Sequence, residues 1–347
     1  MAANTAAARP TARDIGAVAL REPSRLERMV GPDWYRILRG LVTNPLSVTG
    51  LVIIALFFII YIFAPVLAPP IGNPEVIPRD GFNPQPRAPG SEWRVRPPPL
   101  PFWYTPLTGK TEWVHLFGTA SGQWDIFYGI IWGTRTAIFT GVFITAVTVS
   151  IGILVGSLAA YYGGWIDDVL MRITEIFMAF PFLLAALTLS ALLSSTPIGR
   201  TIWAPTIALV GFGWMTYARV VRGDILAVRE RDYVLAARVI GAKDSRILLK
   251  HILPNAIFPT LVLASLDVGT YVISFAALSF LGVGTEVGYA DWGQIIAFAR
   301  PWILSLDQYW YIIAFPGIAL ILFGLGWNLV GDALRDILDP KLRGVRG

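Results

Sequence analysis

The stretch LVIIALFFIIYIF, residues 51–63, decides the fold class. It lies in a segment between Arg39 and Glu75 that carries no charged residue. An α-helix needs roughly 20 residues, at about 1.5 Å per residue, to cross the hydrocarbon core of a bilayer. The sequence therefore predicts that residues 46–68 form a transmembrane helix.

Five further segments have the length and low charge of a membrane span. Together with residues 46–68, they predict an all-α polytopic membrane protein with six transmembrane helices. The fifth of the six carries one acidic residue, Asp267, near its middle. The five segments lie between Arg135 and Asp167, between Glu175 and Arg200, between Arg200 and Arg219, from residue 255 to residue 281, and between Asp307 and Asp332.

The composition supports the same class. Only 15% of the 347 residues are charged and 55% are hydrophobic, whereas about 25% of the residues in an average soluble domain are charged. The chain has no cysteine, and its two histidines, His115 and His251, are far apart. We therefore expect neither a soluble enzyme nor a metal site.

The distribution of Lys and Arg predicts the orientation. With a cytoplasmic amino terminus, 20 of the 28 basic residues fall on the cytoplasmic side of the membrane. The positive-inside rule then places both termini in the cytoplasm. Because the basic charge serves mainly as this topology signal, nucleic acid is not an expected partner.

This orientation divides the chain into successive parts. They are a cytoplasmic tail with a short interfacial helix (residues 1–45), the first span (46–68), an extracytoplasmic loop (69–135), a core of five transmembrane helices (136–331) and a cytoplasmic tail (332–347). Within the core, residues 219–254 form a cytoplasmic loop.

Proline dominates the extracytoplasmic loop. Twelve of the 25 prolines lie between Pro69 and Pro106, a density that excludes helix and favours extended chain. The loop is either a lid packed on the protein's own outer face or a surface that contacts an external partner. Both interpretations rest on four interleaved aromatic residues, Trp93, Trp103, Tyr104 and Trp113.

No motif indicates catalysis or nucleotide binding. Gly109-Lys110-Thr111 resembles the end of a phosphate-binding loop, but Tyr104 stands where the first glycine is required. No HExxH or GxSxG motif is present. We therefore expect no catalytic residue and no cofactor bound by this chain. Any work that it performs must draw on an ion gradient or on another subunit.

The cytoplasmic loop is the most charged part of the chain. Residues 217–255 read YARVVRGDILAVRERDYVLAARVIGAKDSRILLKHILPN. The pattern predicts one helix from residue 232 to residue 240, broken by Gly241, and a second from residue 243 to residue 251 that ends near Pro254. The first helix can dock in a partner's groove; an amphipathic loop on the membrane surface is the alternative.

This loop resembles the "EAA" coupling loop in permease subunits of binding-protein-dependent ABC importers. That pattern has Glu-Ala-Ala, a glycine four residues after the second alanine, and Leu-Pro twelve residues further. Leu235 stands in place of the glutamate. By this resemblance Asp232 and Ala242 also belong to the surface that couples to an ATPase. The residues in register with the pattern are Ala236, Ala237, Gly241, Leu253 and Pro254.

Five other stretches resemble one subgroup of that family, the second ("C") permease of dipeptide and oligopeptide importers, which also includes nickel and some oligosaccharide systems. The resemblance covers residues 43–68 and 115–342. The chain departs from the pattern at Trp124, where arginine is usual, and at Phe275, where glutamate is frequent. The stretches are TNPLSVTGLVII (43–54), HLFGT (115–119), YYGGWIDDVLMRITEIFMAFP (161–181), LSFLGVG (278–284) and WNLVGDALRDILDPKL (327–342).

The resemblance implies a type I importer permease fold in the inner membrane of a prokaryotic cell. It implies as partners a homologous second permease, two ATPase subunits that hold ATP and Mg²⁺, and an extracytoplasmic solute-binding protein. The implied function is import of di- or oligopeptides. Nickel or oligosaccharide import is the alternative within the class. Outside it, an ion-gradient-driven secondary transporter would need several acidic residues at mid-membrane, and only Asp267 clearly qualifies.

Three residues are candidates for the translocation pathway: Asp267, Glu175 and Phe275. Charged groups at bilayer depth usually face a cavity or a partner. Asp267 either meets the ammonium group of a peptide or is hydrogen-bonded to a neighbouring helix. Glu175 either pairs with a basic residue such as Arg172 or lines the pathway.

A stripe of small residues, Gly152, Gly156 and Ala160, recurs every four residues in the second span. Such a stripe lets two helices approach closely. The contact lies either within this chain or across a permease dimer.

Overall fold

The computed structural model describes residues 24–95 and 97–338. Its regular structure is almost entirely helical. The helices, in chain order, are α1 Arg25–Val30, α2 Pro32–Thr43, α3 Pro45–Leu67, α4 Tyr104–Thr108, α5 Ile126–Tyr162, α6 Gly164–Met178, α7 Phe182–Leu193, α8 Trp203–Val228, α9 Asp232–Val239, α10 Asp244–Arg246, α11 Leu253–Ala256, α12 Phe258–Phe280, α13 Trp292–Ala297, α14 Leu306–Tyr309 and α15 Tyr311–Leu338. A π-helical stretch, Ile247–Ile252, and a 3₁₀ stretch, Arg300–Ser305, join some of them. Two short strands, β1 Ser91–Glu92 and β2 Val114–His115, pair antiparallel.

Four helices of the described chain are long and apolar enough to cross a membrane: α3, α5, α12 and α15. The pair α6 and α7 is a further candidate, although the two helices are bent by 85° at the break between them. Pro181, which has no N–H to donate, is the N-cap residue just before α7 at this bend. The all-α polytopic class is confirmed. The predicted number of six spans is not confirmed, since α8, although long, is not apolar enough to count as a membrane span.

Several element boundaries differ from the prediction. Helix α5 begins well before residue 135, because the carboxylate of Asp125 caps it by accepting the backbone N–H of Tyr128. Helix α8 continues through residue 228, so the start of the predicted loop is helical. The chain also stays helical past Pro254, which lies in the first turn of α11, directly after the π-helical stretch.

Helices α5 and α8 approach so closely that their backbones touch. A Cβ atom on Gly152 would lie 2.9 Å from the carbonyl oxygen of Trp214, and one on Gly156 would collide with the carbonyl oxygen of Ala218. Ala160 continues the contact and is fully buried. The stripe of small residues therefore packs within the chain, against α8.

The outer segment, residues 69–125, packs onto the ends of the helices. Trp113 is at its centre, with its ring 4.5 Å from that of Tyr104 and 6.0 Å from that of Phe127 on α5. The indole N–H of Trp103 donates to the carbonyl oxygen of Leu67, the last residue of α3. The segment is thus a packed lid on these helix ends.

Proline does not exclude helix everywhere in this segment. The single turn α4 forms around Pro106, contrary to the prediction. Elsewhere the chain is extended and attaches to distant parts of the sequence. Val76, for example, forms a bridge with Tyr289 in the segment between α12 and α13.

A buried cluster of charged and polar side chains ties the outer segment to the start of α5. His115 is fully buried, with its ring between two carboxylates. Its Nδ1 atom lies 2.6 Å from Oδ2 of Asp125, and its Nε2 atom lies 3.2 Å from Oδ2 of Asp80. The guanidinium of Arg87 pairs with the same Oδ2 atom of Asp80. The carboxylate of Asp80 therefore joins three separate parts of the chain.

The environment of Asp80 favours its ionised form. Burial alone would raise the pKa of this carboxyl group, but hydrogen bonds from the backbone N–H groups of Val95 and Arg94 and from the His115 ring outweigh it and lower the pKa. A lowered pKa means that Asp80 stabilises the folded state above its unfolded pKa of about 3.9. That contribution is lost as the pH falls through the folded pKa.

We expect Gly152→Ala to destabilise the protein, because the added methyl group must push α8 away from α5. Overpacking of this kind costs about 1–3 kcal/mol, which thermal unfolding of the purified protein in detergent measures. Gly223→Ala, at a position of α8 where nothing lies within 4 Å, is the matched control and should not lower stability. Equal effects of the two substitutions would contradict the packing argument.

We expect Asp80→Asn to loosen the outer segment, because it leaves Arg87 without its carboxylate partner. Breaking such a buried pair costs on the order of 3 kcal/mol, so limited proteolysis within residues 69–125 should become at least tenfold faster at pH 7. The difference in thermal stability from wild type should shrink below about pH 4. Glu112→Gln, an exposed acidic residue of the same segment, should change neither quantity.

Candidate functional site

The connecting segment, residues 229–257, joins α8 to α12 and carries the predicted coupling residues. Its helix α9 matches the predicted first helix, and it stops where the chain turns at Gly241. Gly241 has φ of +75°, in the left-handed region that glycine adopts without strain. The predicted positions of the first helix and of the break are confirmed.

Helix α9 has one face toward its own chain and one toward solvent. Val234 and Ala237 are buried against Ile225 of α8 and against Ile247 and Ile252 of the π-helical stretch. Ala237 was expected to face a partner's groove, but its side chain packs inside the chain. The spacing of Val234 and Ala237, three residues apart, is the sequence signal for this inward face.

The solvent face of the segment ends in an apolar tip formed by Val239 and Ile240. Val239 is 87% exposed and Ile240 is 82% exposed, although both are large apolar side chains. Ala236 lies one turn earlier on the exposed face, and Arg238 is also exposed. The sequence did not predict that these two residues are exposed, because two apolar residues before a glycine are equally typical of a helix end that packs inward.

The remaining predicted coupling residues are spread over the segment. Asp232 is exposed in the first turn of α9, and Pro254 is exposed in α11. Ala242 and Leu253 are half-buried and pack against the inward face of the segment. Of the seven predicted residues, four are thus exposed (Asp232, Ala236, Gly241 and Pro254), two are half-buried and Ala237 is buried.

Two hydrogen bonds attach the connecting segment to the end of α5. The hydroxyl group of Tyr161 donates to Asp244 at 2.6 Å. The guanidinium of Arg229 donates to the carbonyl oxygen of Ala160 at 2.8 Å, near the end of α5, where a cation complements the helix dipole. The segment is thus attached to α5 as well as to α8.

An aromatic cavity of about 400 Å³ lies beside the break between α6 and α7. Helices α8 and α12 form the rest of its wall. Two threonines, one tyrosine and Asp267 are the polar residues of the lining, and the others, two methionines among them, are apolar. The lining residues are Phe177, Met178, Phe180, Pro181, Phe182, Phe212, Gly213, Met215, Thr216, Asp267, Thr270 and Tyr271.

The position of Asp267 is compatible with both predicted roles, a residue of the pathway and a hydrogen-bond partner of a neighbouring helix. The residue is half-buried, and its Oδ2 atom accepts a hydrogen bond of 2.6 Å from the hydroxyl group of Tyr217 on α8. It also lines the aromatic cavity. One carboxylate oxygen is therefore held in place by the protein, and the residue still lies at the wall of the cavity.

A second, charged cavity of about 730 Å³ lies on the same two helices, α6 and α8, nearer to the connecting segment. Asp167 and Arg222 form a bidentate ion pair across it, with distances of 2.6 Å and 2.5 Å. Glu175, one of the predicted pathway residues, lies in its wall, and its carboxylate is 3.5 Å from Arg172. The lining residues are Asp167, Asp168, Met171, Arg172, Thr174, Glu175, Arg219 and Arg222.

Phe275 lines neither cavity. It is 1% exposed and packs with Ile144, Leu209 and Tyr271 between α5, α8 and α12. The structure therefore assigns this predicted pathway residue to helix packing. An apolar residue fits here, because a glutamate at this buried position would need a partner for its charge.

Within the described residues, no group of three or more metal-ligating side chains is placed to hold a metal ion.

The chain is similar to known membrane proteins over most of its length. Residues 152–344 match the model of the binding-protein-dependent transport system inner membrane component family. Residues 33–77 match that of the N-terminal transmembrane domain of oligopeptide transport permease C.

Three relatives are similar over most of both chains. The dipeptide transport system permease protein DppC of Alkalihalophilus pseudofirmus is 34% identical, over 89% of this chain and 90% of the relative. A probable D,D-dipeptide transport system permease protein of Escherichia coli is 34% identical, over 93% and 95%. A putative peptide transport system permease protein of Brucella suis is 37% identical, over 82% and 86%.

Proposed function

Because the chain belongs to the family of binding-protein-dependent transport system inner membrane components, we propose that it is a permease subunit of an ATP-driven importer of di- and oligopeptides. It pairs with a homologous second permease in the inner membrane, and each permease forms part of one pathway. Two ATPase subunits bind on the cytoplasmic side, and a solute-binding protein delivers the peptide from outside. Both termini are cytoplasmic in this arrangement.

The structural observation that carries this proposal, and the ATPase contact in particular, is the exposed apolar tip, Val239 and Ile240. It lies on a segment that is anchored to two long helices. Two adjacent apolar side chains that are this exposed, on a segment outside the membrane spans, support a protein contact at this place. The contacts of the segment with α5 and α8 are direct, through the Tyr161–Asp244 and Arg229–Ala160 hydrogen bonds and the buried face of α9. An ATPase that moves the tip therefore also moves the helices that form the cavities.

The peptide class is supported by the relatives and by the aromatic cavity. Each of the three relatives is named for peptide or dipeptide transport. The cavity offers aromatic surface for apolar side chains and one carboxylate, Asp267, for a peptide's ammonium group. Since Tyr217 already donates to one oxygen of Asp267, the carboxylate is pre-oriented for a second donor.

We expect the double substitution Val239→Asp with Ile240→Asp to separate the permease from its ATPase. Burying an apolar side chain of this size contributes about 1.5–3 kcal/mol, and two charges at the tip would also have to be desolvated. The amount of ATPase that co-purifies with the tagged permease should fall at least tenfold, and ATP-dependent uptake should be lost. Leu304→Asp, at an equally exposed apolar residue outside the connecting segment, is the control. Undiminished co-purification of the ATPase would argue against this docking surface.

We expect Asp267→Asn to lower the uptake of peptides with a free amino terminus by about tenfold or more. A hydrogen bond to a charged group is worth about 1.5–3 kcal/mol, and the asparagine cannot balance the ammonium charge. Initial rates of labelled dipeptide uptake into proteoliposomes with the complete importer measure the effect. Asp307→Asn, an exposed acidic residue outside both cavities, should transport normally. If Asp267→Asn matches wild type, the carboxylate does not act in the pathway; if wild type takes up no peptide, the substrate class itself is wrong.

A further inference from the structure

The charged cavity directly follows the aromatic cavity along the same two helices. On α8, Thr216 lines the aromatic cavity and Arg219 lines the charged one. They are three residues apart, about 4.5 Å along the helix axis. On α6, Glu175 of the charged cavity precedes Phe177 of the aromatic one by two residues. A solute that leaves the aromatic cavity toward the connecting segment therefore reaches Arg219 and Glu175 next.

Of the six charged side chains in this cavity, four have a charged partner at ion-pair distance, and two, Asp168 and Arg219, have none within the described residues. Arg222 and Asp167 compensate each other through two short hydrogen bonds, which gives the cavity a rigid wall. Arg172 lies at 3.5 Å from Glu175, but both side chains are more than half exposed, so this contact contributes little. Arg219 has no hydrogen bond or ion pair within the part of the chain that the structure describes.

An uncompensated guanidinium beside a loosely held carboxylate fits one kind of ligand well. A guanidinium presents a planar pair of donors that matches a carboxylate, and a glutamate accepts from an ammonium group. A free peptide carries both charged ends, and each end loses its hydration unless the wall replaces it. The cavity volume of about 730 Å³ is within the range of about 300–1,000 Å³ that is usual for small-molecule sites.

We propose that the charged cavity is a second binding site for the peptide zwitterion, in which Arg219 receives the carboxylate terminus and Glu175 receives the ammonium terminus. This inference rests on the proposed function, since it takes the peptide as the transported solute. The two cavities then act in series: the first binds side chains and an amino terminus, and the second recognises both termini together. Arg219 is the residue that makes the importer prefer a free carboxylate at this stage.

The test compares a peptide and its amide on the purified complex without the solute-binding protein, in nanodiscs. The probes are tritiated Ala-Phe and, as competitor, Ala-Phe amide, which lacks the carboxylate but keeps the ammonium group and both side chains. Wild type should prefer the acid by about five- to tenfold, because the hydrogen bond between Arg219 and the peptide carboxylate is charge-assisted but partly exposed to water. Arg219→Gln should reduce this preference to about one.

The preference ratio is the readout because a general loss of stability weakens both ligands alike. Arg200→Gln, which removes an exposed cation three residues before α8 begins, is the matched control and should keep the wild-type preference. Arg219→Lys should restore part of it, since it keeps the charge and loses the planar pair of donors.

Three results would overturn the second site: no binding of Ala-Phe to the wild-type complex, no preference for the acid, or an unchanged preference in Arg219→Gln. Uptake by the wild-type importer separates this failure from that of the proposed function. A complex that imports Ala-Phe but ignores Arg219 refutes only the second site. A complex that imports no peptide refutes the function as well.

Discussion

The rest of the structure depends on the contact between the backbones of α5 and α8. At Gly152 and Gly156 a single methyl group would collide with the facing helix, so the distance between the two helices has almost no freedom. Helix α8 forms a wall of both cavities and continues into the connecting segment, while the end of α5 holds that segment through Ala160 and Tyr161. A contact without any polar chemistry thus sets the position of α8, the helix that carries Arg219 and Tyr217.

In the pathway that we propose, the two cavities divide the recognition of a peptide into two physical tasks. The aromatic cavity has a single carboxylate, Asp267, so it suits apolar side chains with one positive end. The charged cavity has both signs, and its fixed ion pair between Asp167 and Arg222 compensates itself. Only the charges outside that pair are free to meet a solute. In the proposed pathway, a zwitterion would move from one compensated position to the next without crossing a purely apolar region with both charged ends unsolvated.

The outer segment is part of the fold, although its sequence has the composition of a loose linker. Its aromatic residues fill the space above the helix ends, with Trp113 against Phe127 and Trp103 bonded to the end of α3. The buried cluster around His115 and Asp80 then fastens it electrostatically. Trp124, where the related pattern has arginine, is 9% exposed and has the guanidinium of Arg79 over its ring at 4.5 Å. The cation at this place thus comes from a different part of the chain.

The sequence by itself determined the membrane class, the helix α9, the break at Gly241 and the stripe of small residues on α5. Each of these follows from local properties: the length of an apolar run, the period of a helix, or the freedom of glycine at positive φ. The tertiary structure alone decided which helix meets that stripe, that Ala237 faces inward while Val239 and Ile240 face out, and that Phe275 belongs to the core. It also brought Tyr217 to Asp267, Arg219 to the cavity of Glu175, and Asp80 to His115. These pairs are separated by 35 residues or more, and the periodicity of one helix carries no information about which face of another helix will lie against it.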